Sequence, residues 1–312
     1  MLSPALARTY AYAVLLLDRY GKEVDRSPRL FGISLYQQIA LELHPAGRRR
    51  FDARATLAAA GAPHPDAPYL SQVPCSWGAL YFPEHWREFY AYLAARLPSP
   101  SPPSPPSTSS SSPSATSSPS SSGPSSPSPS SSSSRAPTCP ATPLKPGTAV
   151  VPGGVRSNHW KRSWKRFFIE LAFLRGYAML YPSFPGARSL STNHVEEGAH
   201  VRPEDADARE RRRRLFSVPL MPLPELELGD GARSAGVRTG LLDMPGARLP
   251  AWAELPVLDL LGEVVDEATI VRRGVERRAE LTGCADAPAR AFDVGDLLCV
   301  HADSDGLVDG DA

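Results

Sequence analysis

From Pro98 to about Pro137 the chain is almost entirely serine and proline, and this tract limits what the rest can fold into. It carries too few apolar side chains to offset the entropy of ordering it, so the sequence predicts disorder there. Of the 312 residues, two foldable blocks remain, 1–97 and 145–275. A Ser/Pro-rich insert (98–144) separates them, and a poorly structured, acidic, Gly- and Asp-rich tail (276–312) follows. Each block can hold a modest core, and a core shared by both is the expected arrangement.

The formal net charge is +1, so no global field favours nucleic acid or anionic lipid. Local clusters occur at Arg48–Arg50, at Lys161, Arg162, Lys165 and Arg166, and at Arg211–Arg214. Such runs usually form solvated faces. The four cysteines, Cys75, Cys139, Cys284 and Cys299, are scattered with no CxxC pair, which argues against a zinc knuckle or a disulfide framework. The apolar run Ala11–Leu17 is too short to span a bilayer and lacks the basic flank of a signal peptide. No transmembrane segment and no nucleic-acid partner are expected. The compartment is left open.

Ser3-Pro4 and Gly21 bracket a mostly buried helix over 4–20. Residues 29–36 alternate Phe31, Ile33 and Leu35 as a short strand or turn, and 44–68 reads as loop. WGALYF (77–82) reads as a buried strand, and Pro83 opens a helix. On that helix Trp86, Phe89, Tyr90, Leu93 and Leu97 recur on one face. A second helix is expected over 159–176, with Trp160, Trp164, Phe167, Leu171 and Leu174 on one stripe and Gly176 as its stop. YAMLY (177–181) and VLDLL (257–261) read as strands, 215–220 as a third, and 267–281 as a helix.

Three groups of residues have chemical potential. Glu170 lies among Phe167, Phe173 and Leu174 with Arg166 one turn away. It reads either as a partly desolvated general base or as a structural Glu–Arg pair at the core edge. The loop segment STNHVEEGAH (191–200) offers His194, Glu196, Glu197 and His200, a set that suits manganese or zinc. Thr192 and Asn193 are alternatives for holding sugar hydroxyls, and exposed loop histidines are the plain alternative to a metal site. Trp77, Tyr81 and Trp86 read chiefly as core. Trp77 is the exception, because Gly78 beside it leaves space for a ligand. Asp205-Ala206-Asp207 and Asp303-Ser304-Asp305 spell DxD in poor contexts, and no GxGxxG, P-loop, HExxH or GxSxG motif occurs. The basic residues interleaved with tryptophan in HWKRSWKR (159–166) are expected to form a rim around a buried aromatic stripe rather than an RNA-binding face.

YGKEVDRSPRLFGISLY (20–36), PCSWGALYFPEHWREFYAYL (74–93), SWKRFFIELAFLRGYAMLYPSF (163–184), STNHVEEG (191–198) and LPVLDLLGEVV (255–265) together resemble a family in plants, algae and fungi. Its members are described as glycosyltransferase family 2-like proteins. The resemblance implies an α/β, GT-A-like nucleotide-diphospho-sugar transferase fold, here partial and interrupted by the Ser/Pro insert. It implies transfer of a sugar from a nucleotide-sugar donor to a glycan or other hydroxyl acceptor, assisted by Mn²⁺ or Mg²⁺. On that comparison Glu170 is the best catalytic candidate and His194 a late metal ligand. Joined to the reading of the residues, Glu170 activates or orients the acceptor, Trp77, Gly78 and Asn193 meet the sugar, and His194 with Glu196 or Glu197 holds the metal. The chain begins where the family's second half would begin, so the nucleotide-binding strands and their DxD motif are expected to be missing. A full-length relative would belong to a Golgi or ER membrane. The competing expectation is a non-catalytic carbohydrate- or protein-binding remnant.

Overall fold

The computed structural model describes residues 4–21, 27–62, 67–97, 147–161, 163–192, 205–216, 220 and 249–282. Its elements are α1 (Pro4–Tyr20), β1 (Leu30–Ser34), β2 (Ala40–Leu41), β3 (Arg49–Arg50), α2 (Ala53–Ala59), β4 (Tyr69–Ser71), β5 (Ala79–Tyr81) and α3 (Pro83–Arg96). After the Ser/Pro tract come α4 (Trp164–Arg175), β6 (Ala178–Tyr181), α5 (Ala206–Phe216), β7 (Val257–Leu258), β8 (Val264–Val265) and α6 (Glu267–Thr282). The chain is thus mixed α/β. The insert lies outside the described residues. Of the tail expected over 276–312, residues 276–282 are the last part of α6, while those from 283 onward lie outside the described residues.

Six strands form one mixed sheet in the order β5-β1-β6-β4-β7-β8. Three come from before the Ser/Pro tract and three from after it, so neither block closes the sheet alone. β1 and β6 run parallel at its centre, with Ile33 opposite Leu180. β5 and β4 flank them antiparallel. Both faces are covered, which is why the central strands are buried at every position. Alternation divides their side chains between two layers. Phe31, Tyr69, Met179 and Tyr181 face α3 and α4. Leu30, Ile33, Leu70, Ala178 and Leu180 face Tyr12, Leu16 and Tyr20 of α1. The Tyr20 hydroxyl donates to the Pro250 carbonyl at 2.8 Å, tying α1 to the segment before β7.

The structure departs from the sequence reading in several places. α2 and β3 occupy part of the expected loop 44–68, and α2 is started by the Asp52 carboxylate, which accepts from the Ala55 amide at 3.1 Å. β5 is an edge strand with Leu80 exposed, not a buried strand. α4 begins at Trp164, five residues after the end of a short 3-10 turn (Arg156–His159). Residues 206–216 are helical, so the first part of the strand expected over 215–220 is not formed; Leu220 makes a bridge to Ser189, and 217–219 lie outside the described residues. Asp205 accepts from the Ala208 amide at 2.6 Å and so caps α5.

α3 is rotated relative to its expected face. It buries His85, Phe89, Tyr92 and Arg96, while Trp86 is 43% and Tyr90 70% exposed. The apolar stripe loses because Tyr92 and Arg96 must reach a carboxylate on α4. In α4 every residue from Lys165 to Leu174 is buried, so Lys165 and Arg166 are not the solvated rim the sequence predicts.

α6 crosses α4 at Gly274. A Cβ there would lie 2.5 Å from the Phe173 carbonyl oxygen and 2.7 Å from that of Leu174. At an exposed helix position Gly→Ala would stabilise by about 1 kcal/mol. Here the backbone contact reverses the sign. Gly274→Ala is expected to lower stability by about 1–3 kcal/mol, read by urea denaturation. An unchanged or raised midpoint would mean that α6 does not pack this closely.

Candidate functional site

The carboxyl end of the parallel pair β1/β6 carries a concentration of polar and aromatic groups, the usual place for a ligand in an α/β sheet. Three chain segments are stitched together there. The Leu35 amide donates to the Gly78 carbonyl (2.8 Å), and the Leu190 and Ser191 amides both donate to the Leu35 carbonyl (3.1 Å). The Gln37 amide donates to Ser189 Oγ (2.9 Å), and the Gln37 carbonyl oxygen Oε1 accepts from the Phe184 amide (3.1 Å). Finally, Ser191 Oγ donates to the Trp77 carbonyl at 2.7 Å.

Above this junction a narrow cleft of about 20 Å³ is lined by Tyr36, Gln38, Glu42, Arg48, Trp77 and Lys165, among others. That volume accepts one water-sized or hydroxyl-sized group. The half-buried Trp77 ring meets the edge of Tyr36 with centroids 4.9 Å apart, and Lys165 Nζ lies 5.7 Å from its centre. Lys165 is paired with Glu42, and Arg48 approaches the same carboxylate at 3.9 Å. Gln38 is 8% exposed, and its Oε1 accepts no hydrogen bond among the described residues. Burial pushes the Tyr36 hydroxyl well above its ordinary range, with the neighbouring Cys75 and Glu42 adding to the rise. It therefore remains a protonated donor at neutral pH. Burial likewise raises the Cys75 thiol, so this cysteine is not an activated nucleophile.

Glu170 does not line this cleft. It is 1% exposed, inside the core between α3 and α4. Its Oε1 accepts from Arg166 Nε (3.0 Å) and Arg96 Nη2 (3.3 Å). Its Oε2 accepts from Arg96 Nε (3.0 Å) and the Tyr92 hydroxyl (2.9 Å). A carboxylate has about four lone-pair sites, and all are occupied. The expectation of a general base at Glu170 is therefore corrected. The geometry realises the Glu–Arg pairing that Arg166 offered and adds two partners from α3.

Gly78 is also corrected as a ligand-facing gap. It has φ of 111°, a conformation that suits glycine, but the space where its Cβ would sit is filled by Ser191 Oγ at 2.6 Å. Of the sugar-contact residues expected from sequence, Trp77 is at the cleft, and Asn193 lies outside the described residues. So do the expected metal ligands His194, Glu196 and Glu197, and His200. Among the described residues no group of three or more His, Cys, Asp or Glu side chains converges as a metal would require. Tyr36, Gln38, Glu42, Arg48 and Lys165 were not singled out as site residues. The alternation in LFGISLY marks the strand, but nothing in YQQIALEL shows that the next turn folds back over it. Among the described residues no helix is long and apolar enough to cross a membrane.

A family model described as the SPBC1E8.03c C-terminal domain matches residues 3–102. That segment carries α1–α3, β1–β5 and Trp77, and ends before Glu170 and Lys165. No curated protein and no solved structure matches the chain.

Removing one partner of a buried ion cluster leaves the others uncompensated, at a cost of about 3–5 kcal/mol. Glu170→Gln is accordingly expected to lose stability on that scale in chemical denaturation, with cooperative unfolding retained. A loss under about 1 kcal/mol would contradict the buried, saturated geometry.

Proposed function

We propose that this chain is the acceptor-side part of a glycosyltransferase-like protein with a GT-A-like fold, and that a sugar ring of the acceptor rests on Trp77 with one hydroxyl entering the small cleft. The observation that carries the reading is the half-buried Trp77 indole at the carboxyl end of the central parallel strands, ringed by Tyr36, Gln38, Glu42, Arg48 and Lys165. An aromatic face beside hydrogen-bonding groups suits a sugar, whose ring carries C–H groups on its faces and hydroxyls at its rim. Gln38 Oε1 takes a donated hydroxyl hydrogen, and Lys165 and Arg48 hold Glu42 in place.

In the reaction a hydroxyl oxygen of the acceptor forms a bond to the anomeric carbon of a nucleotide-sugar, and the bond to the nucleoside diphosphate breaks. The hydroxyl proton passes to a carboxylate. Glu42 is the carboxylate lining the cleft, so it replaces Glu170 in that role. The alternative reading is a non-catalytic carbohydrate-binding protein. The saturated Glu170 favours it, since the carboxylate expected to do the chemistry is spent on holding α3 to α4.

The two readings separate in one experiment. Saccharides and nucleotide-sugars, with and without Mn²⁺, are titrated against tryptophan fluorescence while donor turnover is followed. Trp77→Ala is expected to weaken saccharide binding about tenfold or more, equivalent to ~1.4 kcal/mol of lost stacking. Glu42→Gln is expected to abolish turnover and leave binding largely intact. Binding without turnover in the unmodified protein selects the non-catalytic reading. Absence of binding to any saccharide would refute both.

A further inference from the structure

A second and larger cleft, about 430 Å³, lies apart from Trp77, on the side of the sheet's β7–β8 end. This is the size range of small-molecule sites. Its apolar part is Val151, Val155, Phe173, Leu260 and Leu261. Its polar wall combines Gln72, the Asp259–Glu263 turn and one face of α6.

The hydrogen-bonding capacity of that wall is unevenly used. Asp259 is largely engaged: Oδ1 accepts from the Leu261 and Glu263 amides (2.9 and 3.0 Å), and Oδ2 accepts from Arg273 (2.8 Å). The Arg277 guanidinium is spent on the Val150 and Ala149 carbonyls (2.8 and 2.7 Å) and on Glu280 (2.7 Å). Glu276 is held by Arg272 at 3.0 Å. Two groups are left over. Glu263 forms no ion pair among the described residues. Gln72 is 1% exposed, and its Nε2 donates to nothing among them. An unused buried amide donor is costly unless something accepts from it.

From this imbalance we infer that the cleft binds a small organic cation: an ammonium or guanidinium on an apolar stem, with one oxygen acceptor at the other end. The oxygen takes the Gln72 amide hydrogen. The stem lies along Phe173 and Leu260, and the cation is held at the rim by Glu263. Carboxylates outnumber the arginines in this wall, and both arginines are already engaged, so phosphates and carboxylates are disfavoured.

Three probes with the same four-methylene stem test this: N-acetylputrescine, N-pentylacetamide and 5-acetamidopentanoate, which end in an ammonium, a neutral methyl and a carboxylate. The full chain is titrated with each by NMR, on resonances of residues lining the cleft. The expected order is ammonium over neutral over carboxylate, with about tenfold between the first two. Glu263→Gln, at an exposed position, is expected to remove most of that preference. Gln72→Leu is expected to weaken N-acetylputrescine about tenfold while leaving the ligand-free melting temperature unchanged or raised, because it deletes an unsatisfied amide. Equal or tighter binding of the neutral or anionic probe, or no binding of N-acetylputrescine up to millimolar concentration, overturns the inference. So does unaltered N-acetylputrescine binding in the Glu263→Gln protein.

Discussion

Four hydrogen bonds converge on the Glu170 carboxylate, and the remainder of the architecture follows from the need to make all of them. The ion is fully removed from water, so its desolvation is tolerable only if every lone pair is occupied. One donor, Arg166, is local to α4. The others, Tyr92 and Arg96, belong to α3, on the far side of the Ser/Pro tract. Arg96 also donates to the Thr148 carbonyl at 3.1 Å, which fastens the chain where it re-enters the fold. The cluster therefore joins the two blocks at the point where the insert separates them.

Fixing α3 and α4 against each other has consequences at both ends of α4. Toward its first turn, Lys165 is brought beside Trp77 and Glu42, so the charged lining of the small cleft is a by-product of the helix register that Glu170 imposes. Toward its last turn, Phe173 is set beneath the larger cleft, and the close crossing at Gly274 holds α6 as its opposite wall. One buried carboxylate thus positions two surfaces without belonging to either. The rotation of α3 also leaves Trp86 and Trp164 partly exposed, with centroids 5.9 Å apart, around a cluster centred on Phe168.

Much of this fold was legible in the residues. Pro4 and Gly21 bracket α1, Pro83 opens α3, Gly176 closes α4 in the left-handed conformation (φ 63°), and AMLY lies at the centre of the sheet. What could not be read depends on partners distant in sequence. The stripe through Trp86, Phe89, Tyr90 and Leu93 is the better apolar face of α3 taken alone; only a carboxylate 74 residues beyond Arg96 makes the other face win. α2 was hidden because ARATLAA lies among Pro, Gly and Arg, with Asp52 as its single start signal. β5 has the composition of a buried strand but pairs only with β1 among the described strands. At the site, Trp77 was visible as an aromatic beside a glycine. Glu42 was not, because its meaning depends on Lys165, 123 residues away. Glu170 illustrates the reverse case: the sequence shows a carboxylate in an apolar helix, and two opposite roles share that signature.

The most direct measurement of the central claim is a double-mutant cycle in denaturant between position 96, as Arg96→Leu, and position 170, as Glu170→Leu. If the cluster is the joint between the blocks, Glu170→Leu strands both Arg96 and Arg166, whereas the double variant strands Arg166 alone, so the coupling should reach about 2–3 kcal/mol. Additive effects, with coupling near zero, would mean that the two side chains do not meet in the folded protein and would return Glu170 to the candidates for chemistry.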